Sequence, residues 1–124
     1  VANTITPKDL EFIVNECNIA INISHLSKPF FGELMEVVRR NERIYSDTSG
    51  LLDSMYEIEE IPQCVEEIKR FLGECGPAKL LFGTDFPVQT HEHSVLMLEE
   101  AMKDYSSADK EKVYYENARG LLKC

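Results

Sequence analysis

An α/β domain built on three parallel strands is the fold class this sequence predicts, and three observations carry that prediction. Short apolar runs alternate with amphipathic stretches of helical length, in the order αβαβαβαα. Each connection between runs is long enough to be a helical crossover, which sets the strands parallel and makes the connections right-handed. Each apolar run also ends in a polar cluster: Ser24-His25, Ser46 to Ser49, and Thr84-Asp85.

The elements follow in order. "TPKDLEFIVNE" offers Thr6 as N-cap, Pro7 at the first helical position and Asp9 at the third, with Leu10, Ile13 and Val14 at helical spacing. "NIAINIS" (18–24) alternates Ile19, Ile21 and Ile23 with small or polar residues, the period of a strand. "KPFFGELMEVVRRNE" places Pro29 at a helix start and Phe31, Leu34, Met35 and Val38 on one face. Arg39 and Arg40 occupy its last turn, where cations complement the helix dipole. "RIYSDTS" reads as a short second strand. "IPQCVEEIKRFLGECGP" is a helix with Pro62 near its start, Val65, Ile68 and Leu72 inward, and Gly76-Pro77 as its stop. "AKLLFGTD" is an apolar run between turn residues, a buried third strand. "HEHSVLMLEEAMKDY" repeats apolar residues at Val95, Leu98 and Met102 and ends at Tyr105. Ser107 then caps a last helix, "ADKEKVYYENARGLL", with Val113, Ala118 and Leu121 facing in.

The chain of 124 residues reads as one domain over 1–124, without repeat, low-complexity tract or linker. A formal charge of -9 argues against nucleic acid as a partner, since a basic footprint is missing. The densest basic stretch, "VVRRNER", is interrupted by Asn41 and Glu42 and reads as a solvated helix end. No apolar run reaches the roughly 18 residues of a membrane span. Cys17, Cys64, Cys75 and Cys124 form no CxxC pair, so they are expected as free thiols of a reducing, cytoplasmic setting. Three parallel strands are nevertheless too few. Parallel sheets are covered on both faces, and an apolar strand left at an edge recruits a partner. With Val1 and no Met at its start, the chain is expected to be the last part of a larger sheet or barrel.

Parallel α/β proteins bind ligands outside the carboxyl ends of their strands, so the three polar clusters converge on one candidate site. Asp85 is its sharpest member. Gly83 permits close backbone approach, and Pro87 biases Phe86 towards an extended conformation. The Asp85 carboxylate can bind a divalent metal or take a proton from water; the alternative is an Asx-turn accepting backbone N–H groups. His25, directly after the first strand, can serve as acid, base, ligand or electrophile, or simply hydrogen-bond a loop carbonyl. Asp47 is expected to shape a turn beside Gly50. His91 and His93 look like a metal pair, but two helical residues so spaced point roughly 200° apart. They are expected to open a surface helix.

"HLS" after the first strand, "IYSDTSG", "LLFGTDFP" and the closing "ENARGLL" together resemble the C-terminal part of the amidohydrolase-related (amidohydrolase 2) family. These are metal-dependent TIM-barrel hydrolases and decarboxylases. The resemblance covers about Thr6 to Leu122 and implies that the three strands are the sixth, seventh and eighth of a partial (β/α)8 barrel. It implies a metal-ligating or proton-transferring role for Asp85 and a substrate- or water-contacting role for His25. Asn117 corresponds to a structural Asn of the closing helix, and Ser27 stands where the family usually has Gly. The implied cofactor is a divalent metal, zinc by preference, although some members work without metal and would use Asp85 as a base. The family's main metal ligands lie on strands outside this chain, so the fragment alone is expected to bind metal weakly and to be inactive. The implied substrate is a small carboxylated, amide or lactone compound. A decarboxylase of the same family, or a non-enzymatic α/β module self-associating through its open edges, are the alternatives.

Overall fold

The computed structural model describes residues 4–123. Its elements are α1 (Pro7–Cys17), β1 (Ile21–Ile23), α2 (Phe31–Arg40), β2 (Ile44–Asp47), α3 (Ile61–Cys75), β3 (Leu80–Leu81), α4 (His91–Ala101), α5 (Ser107–Glu111) and α6 (Asn117–Leu122). The strands form one parallel sheet in the order β1-β2-β3. Ile21 pairs with Ile44 and Ser46 with Leu80, so consecutive strands are neighbours, as in a barrel wall. The fold is α/β: three parallel strands with flanking helices, each outer strand paired on one side only.

Local chemistry explains most boundaries. Thr6 and Asp9 form a reciprocal capping box at α1, each side chain taking the other's backbone N–H. Gly76 ends α3 with a φ of 84°, a conformation only glycine adopts cheaply. Ile23, Ile44, Ser46 and Leu80 are buried on one face of the sheet, with Leu34, Met35, Val37 and Val38 of α2 and Val65, Ile68, Phe71 and Leu72 of α3 in the same core. On the opposite face Asn22 is exposed and Tyr45 and Leu81 are only half-buried. A parallel sheet normally has both faces covered.

The structure corrects several sequence expectations. β1 is shorter than 18–24: Asn18 is the left-handed C-cap of α1 (φ 54°), and Ser24 to Ser27 turn sharply out of the sheet. Pro29 does not begin α2; it follows a cis Lys28–Pro29 bond, and the helix starts at Phe31. Ser106, and not Ser107, caps the last helix, accepting the Asp109 N–H. Ile13 and Val95 are 43% and 41% exposed instead of inward, whereas Val14, Met97 and Leu98 are buried. Ile13 lies on the helix before β1 and Val95 on the helix after β3.

Between α5 and α6 the helix widens to a π turn over Lys112–Glu116, with the Asn117 N–H reaching back to the Lys112 carbonyl. The Val113 carbonyl accepts the Phe82 N–H at 3.0 Å, tying this bulge to the end of β3. Asn117 completes the tie, donating from Nδ2 to the carbonyls of Pro77 (2.7 Å) and Leu80 (2.8 Å). Its structural role is therefore visible as two bonds bracketing the start of β3.

Candidate active site

Three polar loops leave the carboxyl ends of the strands, and backbone geometry brings them together. After β1, His25, Leu26 and Ser27 all take positive φ (62°, 48° and 55°), forming a left-handed turn. After β2, Gly50 has φ 57°. After β3, Asp85 has φ 61° and lies four residues beyond the strand. Asp tolerates this conformation better than most residues, because its short polar side chain bonds locally.

Gly50 is where the loops meet. A Cβ there would lie 2.9 Å from Asp85 Oδ2 and 2.9 Å from His25 Nδ1 and Cε1. The carboxylate and the imidazole are therefore separated by no more than twice that distance. Gly83 is likewise packed close, with a Cβ there lying 3.1 Å from Ser49 Cβ. The two glycines let the post-β2 loop pass directly beneath His25 and Asp85.

Asp47 organises this loop. It is 8% exposed, and its Oδ1 accepts the N–H groups of His25 (3.1 Å) and Ser49 (3.0 Å) and the Ser49 hydroxyl (2.5 Å). Its Oδ2 accepts Asn22 Nδ2 at 2.6 Å. The expected turn role is thus present, and it extends to the backbone of His25. The His25 ring meets Ser49 at Nδ1, with the carbonyl at 2.7 Å and Oγ at 2.9 Å.

Sequence reasoning missed Gln89. It is fully buried, and its Oε1 accepts the N–H groups of Leu51 (2.9 Å) and Leu52 (3.1 Å). Its Nε2 donates to the Thr48 carbonyl (3.3 Å) and Ser94 Oγ (2.7 Å). One side chain thus clamps the loop after β2 to the loop after β3 and to α4. Its neighbourhood, "PVQT", looks like an ordinary polar turn, and no sequence signal marks it.

The paired histidines are not brought to the site's carboxylate as a ligand pair. Thr90 caps α4 by accepting the His93 N–H, His91 is exposed beside the Phe86 ring (5.5 Å), and His93 is half-buried. Among the described residues no group of three or more His, Cys, Asp and Glu could hold a metal ion. Catalytic zinc takes about three protein ligands, so this chain alone does not build such a centre. Asp85, exposed and with Oδ2 packed close to Gly50, is the carboxylate it presents there. Cys64 and Cys75 are unpaired, and burial pushes both thiols up to about 11. Cys17 is exposed and unpaired, and Cys124 lies outside the described residues. No helix among the described residues is long and apolar enough to cross a membrane.

The sequence model of the amidohydrolase family matches residues 5–124. The chain belongs to the amidohydrolase family. No curated protein matches it. Among solved structures it is similar to an amidohydrolase from Burkholderia multivorans with bound HEPES (TM-score 0.77, 16% identity, 93% of this chain and 48% of that one), a protein also solved with zinc bound. It is also similar to a putative 2-pyrone-4,6-dicarboxylic acid hydrolase from Pseudomonas putida (0.64, 20%, 95% and 49%). A third is the dihydroxybenzoic acid decarboxylase of Polaromonas sp. JS666, with bound manganese and 2-nitroresorcinol (0.64, 19%, 94% and 38%). The chain therefore spans about half the length of the amidohydrolases it matches, or less. At these identities the likeness establishes the fold, that of part of a TIM barrel.

Proposed function

We propose that this chain supplies the C-terminal part of the active site of a metal-dependent hydrolase acting on a small carboxylated, amide or lactone substrate. The convergence of His25 and Asp85 beside Gly50 carries the reading. Family membership and the metals in two of the similar proteins support it. A divalent ion, zinc by preference, would lower the pKa of a bound water in the complete barrel. Asp85 would give that ion one carboxylate ligand and accept the water's proton. His25 would contact the substrate or share in handling that proton. The remaining ligands would come from barrel strands outside this chain, which would also pair with the open edges of β1 and β3.

The test uses the intact protein carrying this chain and a panel of small aromatic and pyrone carboxylates and lactones. Hydrolysis that disappears on chelation and returns with zinc or manganese, and that is lost in Asp85→Asn, is the expected result. Turnover that survives both treatments would remove the metal and Asp85 from the chemistry. Release of carbon dioxide without water addition would assign decarboxylation instead.

A further inference from the structure

The hydrogen bonds around His25 determine which of its nitrogens carries the proton. Ser49 Oγ has one proton, and Asp47 Oδ1, a buried acceptor at 2.5 Å, takes it. The hydroxyl can therefore only accept from the imidazole Nδ1 at 2.9 Å. The second partner of Nδ1 is the Ser49 carbonyl at 2.7 Å, which has no proton to give. Both contacts require Nδ1 to be the donor.

From this we infer that Asp47 and Ser49 are positioning residues that lock His25 with its proton on Nδ1 and leave Nε2 as a lone-pair acceptor. Asp47 acts twice. Its Oδ1 holds the His25 backbone N–H at 3.1 Å, anchoring the left-handed turn, and it orients the Ser49 hydroxyl that faces the ring. The other ring nitrogen is fixed in role by the bond the first one makes. A neutral His25 so held accepts a hydrogen bond or a proton at Nε2, and it cannot polarise a substrate carbonyl by donating to it. The inference rests on the proposed function only for the meaning of that acceptor; the tautomer itself does not depend on metal binding by Asp85.

Nitrogen-15 histidine labelling of the intact, zinc-loaded protein reads the tautomer directly, with the His25 signals assigned by their loss in His25→Gln. In its neutral form the wild-type ring is expected to carry its proton on Nδ1 and none on Nε2. Asp47→Asn keeps an oxygen for the three donors at Oδ1, losing the Asn22 bond at the other position, and is expected to retain that pattern. Asp47→Ala frees the Ser49 hydroxyl to donate to Nδ1 while the Ser49 carbonyl still accepts from it, so a partial Nε2–H signal is expected to appear beside the Nδ1–H one. A wild type with the proton on Nε2 overturns the inference. A folded Asp47→Ala protein with an unchanged tautomer removes Asp47 from it. The wild-type spectrum does not depend on Asp47→Ala, so the inference stands or falls on it even if that variant does not accumulate. Metal content of Asp85→Asn reports separately on the proposed function.

Discussion

Replacing Gln89 with Leu should be among the most damaging single changes in the chain, although it conserves volume and adds apolar character. Gln89 is fully buried and makes four hydrogen bonds to partners in two segments, the loop after β2 and α4. Leu51 and Leu52 are also fully buried, so their N–H groups have no water to turn to when Oε1 is removed. Leaving a buried donor unpaired costs about 1–3 kcal/mol. Two donors therefore cost about 2–6 kcal/mol, before counting the Thr48 carbonyl. Ser94 loses less, because its hydroxyl also donates to the Thr90 carbonyl at 2.7 Å. Set against a typical domain stability of about 5–15 kcal/mol, that loss is large. Urea unfolding followed by circular dichroism measures it. Gln89→Glu provides a signed companion: it keeps one acceptor oxygen but turns the other towards the Thr48 carbonyl. Burial raises the folded-state pKa of such a carboxyl, so this variant is most stable below the ordinary Glu range and loses stability as pH rises. A Gln89→Leu loss below about 1 kcal/mol with an unchanged denaturant slope would refute the argument that this amide clamps the loops.

Ser27→Gly should stabilise the protein: relief of the left-handed strain is worth about 1–2 kcal/mol, and the entropy lost with glycine returns about 0.5–1 of it. A rise in Tm is expected, and a fall would show that Ser27 makes a contact worth more than its strain. Gly50→Ala should cost about 1–2 kcal/mol in strain at φ 57° and also displace His25 and Asp85, so turnover should fall more than the melting temperature suggests. The Glu11 carboxyl is held low mainly by its hydrogen bonds to Arg40, the closest at 2.6 Å. A depressed carboxyl contributes stability above its unfolded pKa and loses it as pH falls through the folded one. Glu11→Gln should therefore be less stable than the wild type at neutral pH and converge with it in acid, as thermal melts across pH will show.

Much of the architecture was legible because it depends on local pattern. Thr6, Pro7 and Asp9 announced α1, and Val65, Ile68 and Leu72 marked the buried face of α3. The polar clusters after the strands foretold which loops would meet. What the sequence hid depends on distant partners or on missing ones. The turn at His25 to Ser27 carries no glycine, and the acceptor that steadies its first backbone N–H, Asp47, lies 22 residues away. Gln89 gains its importance from Leu51, Leu52 and Ser94, none of which advertises a need for an amide. Ile13 and Val95 fit helical periodicity yet face outward, on the helices before β1 and after β3, strands that pair among the described residues only with β2. Periodicity identifies an apolar face but not whether this chain supplies what covers it.

Asp85, brought beside His25 at Gly50, is proposed to ligate a divalent ion whose other ligands lie outside this chain. Metal analysis of the intact protein purified as wild type and as Asp85→Asn, with matched circular dichroism, tests it most directly. A divalent ion bound to the wild type and a marked loss of it in the variant at unchanged fold are expected. Equal metal content in the two proteins would contradict it.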